Sequence, residues 1–142
     1  MKKSLTIIIT CFLILVIGIT YLLCILKENS INKKFEYSKY KKYIEKEIKG
    51  VELITLMNKI SDNNEKNFIQ RDEKGRFIEN EKNSIKLDVK FIDFKDVIIM
   101  EAVLKNGENE FLKHYSNSSF KCKSVEFHEK SKKIRYFLFE QI

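Results

Sequence analysis

Proline and tryptophan are absent from this chain, glycine occurs four times and cysteine three times. Without proline there is no proline-rich tract, and beyond a lysine bias there is no low-complexity segment or internal repeat. The four glycines stand isolated, which excludes a glycine-rich phosphate loop. Cys11 and Cys24 fall inside an apolar run, so Cys122 alone belongs to the polar remainder and no disulfide can form within it. Stability must then come from core packing. This cysteine usage fits a reducing compartment, or an exported protein from an organism that uses few disulfides. The missing residues, set beside abundant lysine, isoleucine and asparagine, make a bias typical of AT-rich bacterial genomes.

Charge is absent from residues 5–26, a run of 22 that begins at Leu5 and ends at Leu26. As a helix it reaches ~33 Å, against a bilayer hydrocarbon core of about 30 Å. A cleaved signal peptide needs small residues before the cut, and the run ends instead in Tyr21-Leu22-Leu23-Cys24-Ile25-Leu26. A lipoprotein signal needs a small residue before its cysteine, where Leu23 stands. The expectation is a retained single-pass anchor whose partner is the lipid bilayer. Lys2 and Lys3 form a basic start that favours an N-in, C-out orientation, although lysines also follow the run.

The expected organisation is an N-terminal tip and anchor (1–26), a basic amphipathic connector (27–49) and one soluble domain (50–142). With 142 residues and the first 26 committed to the anchor, only one modest core is possible. Of the net +7, Lys2 and Lys3 supply two, leaving +5 on the rest. So mild a surplus reads as solubility, and nucleic acid is not an expected partner. In the connector, Tyr37, Tyr40, Ile44 and Ile48 recur at helical spacing between lysines. Lys27, Lys33, Lys34, Tyr37, Tyr40, Lys41 and Lys42 are the candidate lipid or interface contacts. The other reading of the same stripe is a helix docked on the domain.

The domain pattern predicts an α+β fold: a small antiparallel sheet of four or five strands with one or two helices packed on it. Residues 51–61 have a broad apolar helical face, 62–67 read as a polar breaker, and 72–75 as a turn. Residues 84–91 alternate as a half-buried strand, and 97–100 form a second short one. Residues 101–115 read as helical pieces broken at Gly107, and 119–128 with 133–141 as a hairpin. Within 119–128 the alternation changes phase: Phe120 and Cys122 are even, Val125 and Phe127 odd. A bulge near Lys123 or Ser124 would return all four to one face.

Chemistry is sparse. The acidic 62–67 stretch fails as a calcium loop, because Lys66 takes a ligand position and Asn67 the glycine position. Cys122 and His128, six residues apart on one strand, would lie ~20 Å from each other, too far for a nucleophile–base pair or a shared metal. A core cysteine and surface histidines are expected. Phe120, Phe127, Tyr136, Phe137 and Phe139 amid Lys and Arg lack the aromatic motif of RNA-binding sheets. No catalytic residue, metal or cofactor is expected.

The stretches GVELITLMNKISDNNEKN, NSIKLDV and FKCKSVEFHEKSKKIRYFLFEQI resemble small single-pass membrane proteins of clostridia-like Firmicutes, a likeness that implies an anchor and no particular activity. In layout the chain also resembles pilins and pseudopilins. It departs from them in having no Gly before a plausible leader cleavage site and no early Glu in the apolar run. Three readings follow. The first is a membrane-anchored, non-enzymatic interaction domain facing outward. The second is a pseudopilin-like structural subunit, and the third a cytoplasmic-facing domain held on anionic lipid by its juxtamembrane lysines.

Overall fold

The structure, a computed structural model, describes residues 2–142; Met1, at the expected tip, lies outside the described residues. The elements in order are α1 (Lys2–Ile44), β1 (Ile48–Lys49), α2 (Gly50–Lys66), β2 (Lys86–Lys90), β3 (Ile98–Ile99), α3 (Met100–Asn106), α4 (Glu108–Tyr115), β4 (Ser119–Phe127) and β5 (Ile134–Gln141).

The apolar run and the connector as far as Ile44 are one uninterrupted helix; Ile48, expected on the same helical stripe, lies instead in β1, where it pairs with Phe120 of β4. The helical stretch Ile7–Ile44 includes an 18-residue window of mean hydropathy 2.8, long and apolar enough to cross a membrane by length and composition. Within the run the Thr10 and Thr20 hydroxyls donate to the carbonyls of Ile7 and Ile17, at 2.8 and 2.9 Å. Beyond it, the stripe turns onto the domain. Tyr40 and Tyr43 are buried and Ile44 packs at the core edge. The Tyr40 ring meets Phe137 edge-on at 5.4 Å, with the Lys59 and Lys39 ammonium groups 5.0 and 5.2 Å from its centroid.

The Tyr40 hydroxyl has no hydrogen-bond partner among the described residues, and burial pushes the phenol up to about 12. A buried hydroxyl that exchanged water for no protein partner costs stability. Tyr40→Phe is therefore expected to raise the unfolding free energy by about 1 kcal/mol, read from the urea midpoint of the domain in detergent. A loss of similar size would mean that the hydroxyl is satisfied in solution.

The sheet has the order β1-β4-β5-β2-β3. Three of its pairings are antiparallel, but β2 and β5 are parallel, so the sheet is mixed where an antiparallel one was expected. The cause is non-local. The hairpin makes β5 antiparallel to β4, and β5 then takes the central place beside β2, with β3, α3, α4 and β4 intervening in the chain. Both edges, β1 and β3, are two residues long and offer little template for further pairing.

The expected bulge is present. Cys122 pairs with Phe139 and Ser124 with Leu138, leaving Lys123 as the extra residue. A second shift pairs Glu126 with Tyr136 but Phe127 with Ile134, leaving Arg135 extra on β5. The two irregularities put Phe120, Cys122, Val125 and Phe127 on one face with Phe139, Phe137 and Ile134. That face meets α2, α4 and the end of α1 around a core that includes Leu53, Leu56, Met57, Ile60, Leu87 and Val89.

Two expectations change. Helix α2 does not break at residue 62 but runs to Lys66. Asn64 is fully buried, and its side-chain amide both accepts from the Ile85 N–H (2.9 Å) and donates to the Ile85 carbonyl (2.8 Å). A tertiary contact thus holds helical a residue that favours turns locally. His128 is buried, not superficial: it opens the β4–β5 turn, and its Nε2 lies 2.8 Å from the Ser84 carbonyl oxygen.

Strand directions give the domain two poles. β5 and β2 lead away from the apolar half of α1, while β4 and α2 lead back toward it. The anchor-side pole holds the α2 C-terminus, the 79–83 loop and the β4–β5 turn; the far pole holds the 91–97 loop, α3 and α4.

Candidate interaction groove

The far pole is organised by aromatic packing at the end of β2. Phe91, buried, lies 4.7 Å from Tyr115, 5.9 Å from Phe120 and 6.3 Å from Phe111 by ring centroids. Gly107, at φ +97°, takes a backbone conformation that L side chains rarely adopt and separates α3 from α4. The break turns Val103 of α3 and Phe111 of α4 toward the same space. Between them and the 91–97 loop a cleft of ≈ 160 Å³ opens, walled by Phe91, Phe94, Ile98, Val103, Phe111 and Tyr115. That volume is roughly what admits one benzene-sized ring.

Phe94, which lines the cleft, is 49% exposed, and Ile92 and Val97 on the same loop are 66% and 45% exposed, so the loop displays apolar surface instead of burying it. At the rim His114 Nε2 lies 2.9 Å from Glu110 Oε1. The segment that forms the cleft is acidic, residues 93–110 carrying five acids and two lysines in a chain of net +7, although Glu101 turns away to accept from the Phe77 N–H.

The opposite face of the sheet is polar. Tyr136 donates to Asp88 at 3.0 Å; burial raises the Asp88 carboxyl, and burial with the Asp88 hydrogen bond raises the Tyr136 phenol. A phenol driven up is poorly suited to proton transfer near neutrality. Arg135 pairs with Glu126 and with Glu79, and Lys86 with Glu79, so the surrounding charges neutralise one another. This is a paired surface network with no nucleophile–base unit.

Cys122, His128 and His114 do not meet. The Cys122 thiol donates to the Ser124 carbonyl at 3.5 Å and is pushed up to about 11 by burial. His128 engages Ser84 at the anchor-side pole and His114 sits on the far-pole rim. Among the described residues no group of three or more His, Cys, Asp or Glu side chains is placed to hold a metal ion.

The connector residues divide. Lys27, Lys34 and Lys41 are exposed, the last 3.6 Å from Glu45. Lys33 and Lys42 are exposed too, but lie over the rings of Phe127 (4.7 Å) and Tyr43 (4.4 Å). Tyr37 is half-buried. Tyr40 is fully buried against the sheet and has no surface to offer a lipid, because the helical phase that gives it to the stripe turns it into the core.

Sequence reasoning missed the groove. Its one local signal is Phe91-Ile92-Asp93-Phe94, apolar residues that continue past the end of an alternating strand into a segment too polar for a core. Comparison of the chain with protein-family models, with curated proteins and with solved structures finds no match in any of the three.

Proposed function

We propose that this chain is a membrane-tethered, non-enzymatic interaction domain. On this reading α1 crosses the bilayer with Lys2 and Lys3 on the cytoplasmic side, and the domain stands outside. The groove at its far pole then receives an apolar side chain from a basic segment of a protein partner. The observation that carries the reading is the groove's place and character: a ring-sized cleft lined by exposed Phe94, on a loop that also exposes Ile92 and Val97, at the pole opposite the anchor. Exposed apolar residues beside a cleft are the usual anchor sites for partners. The acid excess of 93–110 favours a basic flank on the ligand through charge complementarity and faster encounter.

A displayed peptide library selected against the full-length chain in nanodiscs tests the site. Selected peptides are expected to carry an aromatic or large aliphatic residue beside Lys or Arg, and to lose at least tenfold in affinity on Phe94→Ser combined with Val103→Lys, roughly the loss of one buried anchor. Peptides that bind the double variant equally would remove the groove from the proposal. Orientation is read separately. With Cys11 and Cys24 changed to Ser, an Asn109→Cys chain on intact cells is expected to react with an impermeant maleimide, and protection until lysis would place the domain inside.

A further inference from the structure

The anchor-side pole has a broader, more polar cleft of ≈ 610 Å³, lined by Glu79, Glu81, Phe127, Glu129, Lys130 and Arg135 among others. It also carries the most exposed aromatic of the described residues. Phe68 is 90% exposed and sits at φ +55° just past the C-terminus of α2. Its N–H donates to the Glu65 carbonyl (2.9 Å) and the next N–H, of Ile69, to that of Asn64 (3.0 Å). Glycine suits this helix-ending position; a phenylalanine there carries backbone strain and, in water, gains nothing from its ring. The same pole holds Lys66, Lys132 and Lys133, none with a salt-bridge partner among the described residues, Lys82, which acts on Glu81 through its charge, and Lys130, which holds Glu81 at 2.6 Å. Glu129 is the other acid of the turn.

Helix α1 fixes the height of this pole. From Leu26, the last residue of the apolar run, to Lys33 the helix advances ~10 Å. Helical side chains lean toward the N-terminus, so the Lys33 ammonium, 4.7 Å from the Phe127 ring, marks a level closer still to the run. Phe127 ends β4, and the turn that holds Lys130, Lys132 and Lys133 follows it. The headgroup layer is about 5–7 Å deep on each side of the hydrocarbon, and lysine stems extend their ammonium groups to meet it. Because Tyr40 and Tyr43 lock α1 into the core, the domain has no hinge on which to swing clear.

We infer that the anchor-side pole is a bilayer-contact surface, on which Phe68 enters the interfacial layer while Lys66, Lys82, Lys132 and Lys133 face the phosphates of anionic lipids. This rests on the reading of α1 as a membrane span, and the contact would hold the domain upright with its groove turned away. An exposed ring in a strained cap and a set of lysines in excess of their acids then share one cause, since the interface stabilises both.

The chain has no tryptophan, so single substitutions give clean reporters. Phe68→Trp, Phe94→Trp and Ile14→Trp chains would each be reconstituted in phosphatidylcholine vesicles with and without phosphatidylglycerol, using lipids brominated near the headgroup or deep in the chain. The expected result is that headgroup bromines quench Phe68→Trp several-fold more than Phe94→Trp. The difference should grow with phosphatidylglycerol and shrink when Lys132→Glu and Lys133→Glu are added. Ile14→Trp should be quenched by the deep label throughout. If Ile14→Trp is quenched while Phe68→Trp is no better quenched than Phe94→Trp, the contact surface is overturned and the span stands. An unquenched Ile14→Trp overturns the span and this inference with it.

Discussion

Replacing Gly50 with alanine is expected to destabilise the domain by about 3 kcal/mol or more, toward the upper end of what overpacking costs. Gly50 is the first residue of α2 and follows β1 directly. A Cβ there would lie 1.9 Å from the Tyr115 carbonyl oxygen and 2.7 Å from its carbon, both backbone atoms. Neither can rotate away as a flexible side chain would. Their position is fixed on both sides, because the Tyr115 carbonyl accepts from Ser118 N–H (3.0 Å) and Gly50 N–H donates to the Ser118 carbonyl (3.0 Å). Relief therefore requires α2 and the α4–β4 link to separate, which would also shift Tyr115 and Phe111 in the groove. The measurement is the urea midpoint in detergent micelles, followed by the near-ultraviolet circular dichroism of the tyrosines. A midpoint within error of the unsubstituted chain would show that α2 and α4 are not packed this closely.

Gly50 also marks how far local sequence reaches. Its position at a helix boundary is legible, because the apolar periodicity restarts after it. Its close approach to Tyr115 is not, since that contact spans more than half the domain in sequence. The same division holds elsewhere. The uncharged run, the Tyr37–Tyr40–Ile44 stripe, the 84–91 alternation and the C-terminal hairpin are all visible because helices and strands repeat at periods of 3.6 and 2. The parallel β2–β5 pair, the helical state of Asn64 and the burial of His128 depend on partners 21 to 50 residues away in sequence. The groove lies furthest from local signals. Its walls come from the end of β2, from β3, α3 and α4, and only the turn at Gly107 makes them converge.

The hairpin is where a phase defect in the sequence foretold a specific backbone feature, and Cys122 reports on it. Without the extra residue at Lys123, Phe120 and Cys122 would face opposite to Val125 and Phe127, and one of the two pairs would lie in water. With it, Cys122 packs at the core edge, and burial moves its thiol from 9.0 to about 11. Only the thiolate reacts, so at pH 8 the folded chain holds ~100-fold fewer reactive sulfurs than the unfolded one. In a chain with Cys11→Ser and Cys24→Ser, native labelling is therefore expected to be ~100-fold slower than labelling in denaturant. The native rate should keep climbing through pH 10, while the denatured rate levels near pH 9. The sign for stability follows from the raised folded value: the contribution is fully present below pH 9 and is lost as pH rises toward 11. A Ser124→Cys reporter in a Cys122→Ser background faces the other side of the sheet, opposite Leu138, and should label faster than Cys122. If Cys122 reacts equally fast folded and unfolded, β4 is a regular strand without the bulge at Lys123. The face assigned here to the core would then be divided between two sides of the sheet.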